Sequence, residues 1–203
     1  MKIIENFLSE TERINLLNQV DWSDIGYTFQ SSKSHNSFGV DQLSSEMLKI
    51  IQASGDIEYE IVEWWKYDSE YGISGGRHSD WDEAMYYDAG VKRHPEKTFI
   101  YYPNIENIVG GEIVIYKGQD EEILEKIIPQ TNMLVYFDSH LEHEVLPLQK
   151  GKRVSIIFNP WKKSPDFTKF PYNPQGVNRK RASTIEEAIA YRKKMKESFK
   201  LNE

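Results

Sequence analysis

The chain contains no cysteine, which excludes disulfide staples, thiol nucleophiles, iron–sulfur clusters and cysteine-ligated zinc. It has no apolar run near the ~18 residues of a membrane span. Its start, MKIIENFLSETER, turns acidic within a few residues and offers no signal-peptide core. Positive charge is scarce: 25 Lys and Arg against 32 Asp and Glu leave a net charge of −7. That balance disfavours a protein built around a nucleic-acid backbone. Internal repeats and low-complexity segments are also lacking. These absences together predict a cytoplasmic globular protein whose chemistry does without sulfur. What is present is enough for a core: 203 residues, 39% hydrophobic and 13% aromatic, in a chain long enough to bury roughly 70% of its unfolded surface.

Two helices open the chain. Ser9-Glu-Thr-Glu12 is a capping box, in which the serine oxygen takes a free amide of the first turn and the glutamate reaches back. Ile14, Leu17 and Val20 follow as an apolar stripe. A second helix is predicted over residues 43–53, where Leu43, Met47, Ile50 and Ile51 recur at helical spacing and Gly55 stops the run. Both helices are expected to lie against one face of the β-rich region downstream. From residue 58 to 161 the texture changes to short strands, predicted over 58–67, 97–102, 112–117, 122–128, 132–137, 144–148 and 153–160. In the first, Tyr59, Ile61, Trp65 and Tyr67 point one way, and Val62 and Trp64 the other. About eight strands with no βαβ rhythm predict a mainly β protein: a double-stranded β-helix, or jelly roll, buttressed by N-terminal helices.

The tail has a different character. Residues 177–203 carry eight Lys or Arg against four Glu. Thr184-Ile-Glu-Glu187 is another capping box, and Ile185, Ala188, Ile189, Met195 and Phe199 form a stripe. The expected division is a jelly-roll domain over 1–176 and a basic helical extension over 177–203, packed on the body with a solvated cationic face.

Five histidines are candidates for chemistry: His35, His78, His94, His140 and His143. In His78-Ser-Asp80, an imidazole and a carboxylate two residues apart share one face of an extended strand and can reach one metal ion. Alone, such a pair is weak evidence. A third ligand from a distant strand would complete a two-histidine, one-carboxylate facial set that leaves coordination positions open. His143 and His140 compete for that role, while His35 and His94 lie in polar loops and are expected to be solvated. Ten residues after His143 comes Arg153, whose planar fork can grip a carboxylate with two parallel hydrogen bonds.

His78-x-Asp80, the strand end Tyr101-Tyr102-Pro103-Asn104, Gly110-Gly111-Glu112, Phe137-Asp138 and His143-x-Val145-x-Pro147 followed by Gly151-x-Arg153 stand in one order over residues 58–161. That series resembles the Fe(II)/2-oxoglutarate-dependent dioxygenases, in their prolyl-hydroxylase-like branch. The resemblance implies His78, Asp80 and His143 as iron ligands and Arg153 as the partner of the 2-oxoglutarate distal carboxylate, helped by Tyr102. It also implies Tyr67 as a further contact of the cosubstrate, with Ser155 lining the same pocket. The activity implied is hydroxylation of an unactivated C–H bond using Fe(II), 2-oxoglutarate and O2, with release of succinate and CO2.

The substrate could be a prolyl peptide or protein, a free amino acid or another small metabolite. Neither membrane nor nucleic acid is an expected partner, although the basic tail keeps a demethylase-like reading open. A cupin-like metal enzyme without 2-oxoglutarate and a non-catalytic jelly-roll sensor compete with the dioxygenase reading. The segment after Asp80 is long and polar and is expected to act as a substrate lid, with Trp81, Met85, Tyr86 and Tyr87 as contacts. Asn159 departs from the bulky aromatic that relatives often carry on the face of Arg153.

Overall fold

The computed structural model describes residues 1–20, 43–69, 75–82, 85–86, 89–118 and 122–165, and the backbone of 36–39. The elements run β1 (Lys2–Ile4), α1 (Glu10–Gln19), β2 (Asn36–Gly39), α2 (Ser45–Gln52), β3 (Ile61–Ser69), β4 (Gly75–His78), β5 (Thr98–Gly110), β6 (Ile113–Tyr116), β7 (Ile123–Ile127), β8 (Met133–Phe137), β9 (His143–Val145) and β10 (Leu148–Trp161). All pairings are antiparallel. A six-stranded sheet in the order β1-β8-β5-β10-β3-β2 faces a four-stranded sheet in the order β4-β9-β6-β7. This is the jelly roll with helical buttress that the sequence predicts. The basic extension over 177–203 lies outside the described residues.

Alternation on the large sheet divides the core in two. Outward from β3, β5, β8 and β10, the side chains of Val62, Trp64, Phe99, Tyr101, Leu134, Ile156 and Phe158 meet Leu16, Met47, Ile50 and Ile51 of the helices. Inward, Ile100, Tyr102, Met133, Val135, Phe137 and Ile157 meet Ile113, Ile115 and Ile127 of the small sheet. The period of two thus gives β3, β5, β8 and β10 each one face for the helices and one for the barrel.

The capping box forms as read: Ser9 Oγ accepts from the Glu12 amide, and Glu12 Oε2 accepts from the Ser9 amide at 2.8 Å. Glu12 also receives Lys49 of α2 at 3.0 Å, which ties the two helices together. The apolar stripe of α1 needs correction. Leu16 is fully buried, whereas Ile14 is 44% exposed. The chain before the helix, clipped by Asn132 to the turn preceding β8, sets which face of α1 meets the sheet. Asn132 holds that turn at φ 62°, a conformation its short polar side chain tolerates.

Three further sequence expectations are corrected. Tyr59 precedes β3, so it escapes the alternation and packs against the helix-side core rather than with Trp65. Tyr101-Tyr102-Pro103-Asn104 is not a strand end, because β5 continues to Gly110. Pro103 is accommodated because pairing with β8 stops at Tyr102 and the β10 ladder is irregular at that point, so no regular bond needs its missing N–H. Finally, β1, β2 and β4 are strands of three or four residues that the alternation pattern does not announce.

Candidate metal centre

Strands β4 and β9 pair so that His78 and His143 are direct cross-strand partners. Their rings stand 4.4 Å apart, tilted at 51°. Asp80 follows just beyond the end of β4, and its carboxylate is aimed by Thr98, whose Oγ1 donates to Oδ2 at 2.5 Å. Oδ1 lies 3.8 Å from His78 Nε2 and Oδ2 lies 3.9 Å from His143 Nε2. Those separations exceed hydrogen-bond reach, so the three groups face a shared space instead of bonding one another. One donor atom from each lies within 4.8 Å of the others, and the three could hold one metal ion.

The surroundings suit such a donor set. His78 Nδ1 lies 2.6 Å from the Gly76 carbonyl and His143 Nδ1 lies 3.2 Å from the Leu141 carbonyl. Donation from each Nδ1–H leaves the Nε2 lone pair toward the cluster, as carbonyl contacts commonly do for ligating histidines. Burial lowers the His143 pKa, only partly opposed by the Asp80 carboxylate, which favours the neutral imidazole a metal needs. Phe137 closes the site beneath, its ring 5.0 Å from that of His143. Asp80 and His143 are buried while the His78 side chain is 47% exposed, so the cluster opens on the His78 side.

On β10, Arg153, Ser155, Ile157 and Asn159 share the inward face. Arg153 is 4% exposed, and no carboxylate pairs with it among the described residues. Its one hydrogen bond among them runs from Nη1 to the Gly111 carbonyl at 2.8 Å. Burial lowers its pKa, opposed by the nearby Tyr102 and Tyr67. The Tyr102 hydroxyl is pushed up to about 12 by burial, with Arg153 pulling the other way. Tyr67, opposite Ser155 on β3, is 37% exposed. A buried cation without an anion is costly, and this one faces the same interior as the three-residue cluster.

Other expectations fare differently. His140 is exposed and stays outside the cluster, its ring 6.5 Å from that of His94. His94 is not a solvated loop residue: it is half-buried, with Nδ1 2.6 Å from the Asp80 carbonyl. His35 and Tyr87 lie outside the described residues. In the segment after Asp80, buried Asp82 pairs with Arg93 and accepts from the Met85 amide at 3.0 Å. Trp81 packs edge-on against Tyr86 at 4.3 Å with Lys92 over its face at 4.9 Å.

Sequence reasoning passes over Thr98, and also Ser69, whose fully buried hydroxyl stands opposite Arg153 without a hydrogen bond among the described residues. Only its place two residues beyond Tyr67 on one face of β3 could have pointed to it.

A jelly roll with two histidines and a carboxylate converging inside one end, and a buried arginine without a carboxylate partner among the described residues sharing the interior, is an arrangement that suits a metal-dependent oxygenase. Residues 66–161 match the 2OG-Fe(II) oxygenase superfamily. Over that region, just under half of the chain, the sequence is similar to the superfamily, and the match supports a 2-oxoglutarate-dependent dioxygenase. No curated protein matches it in sequence.

Among solved structures, a Pseudomonas putida prolyl-4-hydroxylase is 17% identical with a TM-score of 0.54, over 80% of this chain and 88% of that one. A Trichoplax adhaerens prolyl hydroxylase, solved with a hypoxia inducible factor peptide fragment, is 19% identical with a TM-score of 0.51, over 79% and 83%. The viral collagen prolyl hydroxylase of Paramecium Bursaria Chlorella virus-1, solved with 2OG, is 18% identical with a TM-score of 0.51, over 78% and 93%. At these identities the likeness establishes a shared fold. Among the described residues, no helix is long and apolar enough to cross a membrane.

Proposed function

We propose that this enzyme hydroxylates an unactivated C–H bond of a prolyl residue within a peptide, with His78, Asp80 and His143 holding Fe(II). The observation that carries the reading is the pairing of that three-donor cluster with Arg153, a buried guanidinium lacking a carboxylate partner among the described residues. A dicarboxylate cosubstrate would answer both needs: its distal carboxylate would neutralise Arg153, leaving its keto-acid end for the metal that His78, Asp80 and His143 would hold. The Tyr102 hydroxyl, kept protonated by burial, can donate to the same carboxylate, and Ser69, Ser155 and Tyr67 line that end. Bound Fe(II) supplies the oxidative decarboxylation of 2-oxoglutarate to succinate and CO2 and the transfer of oxygen to the substrate.

The side chains hold and orient. Thr98 fixes the rotamer of Asp80, and His94 fixes its backbone. Gly111 aims the arginine fork. Such positioning removes the entropy of a multi-component encounter. The prolyl assignment is carried by the likeness to prolyl hydroxylase structures.

Anaerobic titration of Fe(II) and 2-oxoglutarate tests the reading without a substrate. The expected result is a visible charge-transfer band in the wild type that is absent in His143→Ala. Iron binding without a band would overturn the cosubstrate assignment, and no iron binding would overturn the metal site. Prolyl peptides that fail to stimulate succinate release would overturn the substrate.

A further inference from the structure

Asn159 is 2% exposed, its Oδ1 is sealed from solvent, and no hydrogen bond to its carboxamide exists among the described residues. It belongs to the inward row of Arg153, Ser155 and Ile157. On one side it pairs with Glu63 of β3. On the other, the ladder to β5 ends at the Phe158–Phe99 pair, next to Thr98. Thr98 is the residue that holds the Asp80 carboxylate. Asn159 and this support of the metal cluster therefore lie on adjacent strands of one sheet.

Leaving a buried amide without partners is unfavourable, and such groups are rare unless something else completes them. Leucine has nearly the same shape and would avoid the cost. We infer that Asn159 is a specificity-determining residue whose carboxamide hydrogen-bonds an amide of the substrate beside the carbon that is hydroxylated. A carboxamide presents an N–H donor and a carbonyl acceptor side by side in one plane, complementary to one peptide or carboxamide unit. The acidic Glu63 beside it, whose Oε2 accepts from Trp161 Nε1 at 2.9 Å, disfavours a free carboxylate at that spot. Peptide-linked residues are thus selected over free amino acids. The inference rests on the proposed oxygenase function and assigns a residue to the recognition of its peptide substrate.

Asn159→Leu and the smaller Asn159→Ser, which cannot overpack the barrel, test it in three measurements. The probes are blocked Gly-X-Gly tripeptides with each genetically encoded side chain at X, the corresponding free amino acids, and fatty and hydroxy acids without an amide. Without substrate, Asn159→Leu should raise Tm by about 2–4 °C, because an unpaired buried amide is gone. The anaerobic Fe(II)–2-oxoglutarate band should be unchanged in both variants. Succinate release stimulated by blocked peptides should fall at least tenfold in kcat/KM in both.

A lower Tm in Asn159→Leu would show a structural partner and overturn the inference. So would full peptide stimulation in either variant, or a wild type stimulated only by compounds without an amide or by none. Absence of the band in the wild type is a different failure: it removes the oxygenase function itself, and this inference with it.

Discussion

Gly111→Ala is expected to uncouple 2-oxoglutarate binding from metal binding. Gly111 sits at φ +76°, and a Cβ added there would lie 2.9 Å from Leu148 Cδ1 and 3.0 Å from Arg153 Nη1. An alanine in this left-handed conformation costs ~1–2 kcal/mol. Both contacted atoms are side-chain ends, yet Leu148 is 1% and Arg153 4% exposed, so neither has open space to retreat into. Arg153 yields by swinging away, which lengthens its 2.8 Å bond to the Gly111 carbonyl and takes the fork off its line. A hydrogen bond from a charged group contributes ~1.5–3 kcal/mol, so the Kd for 2-oxoglutarate should rise roughly tenfold to a hundredfold. The backbone strain should lower Tm by several degrees. Calorimetric titration of 2-oxoglutarate into the Fe(II)-loaded protein, beside Fe(II) titration alone, reads both. Unchanged 2-oxoglutarate affinity with a lowered Tm would refute the coupling. An equal loss of Fe(II) affinity would show that the turn supports the whole barrel end instead.

Arg153→Lys keeps the charge but loses the planar fork, and should weaken the 2-oxoglutarate band by at least tenfold while leaving Fe(II) affinity unchanged. Asp82→Ala leaves Arg93 without its carboxylate, the guanidinium's remaining hydrogen bond among the described residues being to the Ser164 carbonyl. A cost of ~3 kcal/mol is expected, at the low end for a buried pair because Arg93 is 25% exposed, with faster proteolysis between residues 81 and 94; an unchanged cleavage rate would show that the clamp does not hold the loop. Glu12 is held down to about 2 from 4.5 by hydrogen bonds from Ser9 and Lys49. Its folded pKa lies below the unfolded value, so its contribution is complete above pH 4.5 and is lost as the pH falls toward 2. In Glu12→Gln, Tm should therefore be lower near neutrality and fall less steeply across that window, and superimposable Tm–pH curves would refute this.

Much of the fold was legible because its signals are local. The Ser9–Glu12 box, the α2 stripe and the alternation of β3 each depend on residues a few positions apart. The short strands β1, β2 and β4 owe their existence to partners far away in sequence, as in the pairing of Ile3 with Val135, and nothing local announces them. The candidate site divides in the same way. His78, Asp80, His143 and Arg153 could be singled out because their chemistry is specific and their order is distinctive. Thr98, Ser69 and His94 could not: a hydroxyl in a strand and a histidine in a loop look ordinary until folding sets them against Asp80 or Arg153. Ile14 and Leu16 show the opposite limit, since a short helix with apolar residues on several faces does not specify which one the sheet will cover.

The pairing of β10 has a further consequence. Against β3 it runs unbroken from Arg153–Ser69 to Trp161–Ile61, whereas against β5 it is interrupted three times. β3 therefore acts as the ruler of the barrel and β5 as its slack. An inserted or deleted residue in β5 can be taken up where the ladder is already irregular. The same change in β3 would force β10 to slip by one, turning Arg153 and Asn159 into the helix layer and Ile156 and Phe158 into the cavity. Such a slip would ruin the core and the site together. Selection for a foldable β3–β10 pair is thus also selection for an oriented arginine, even in a lineage whose substrate has changed.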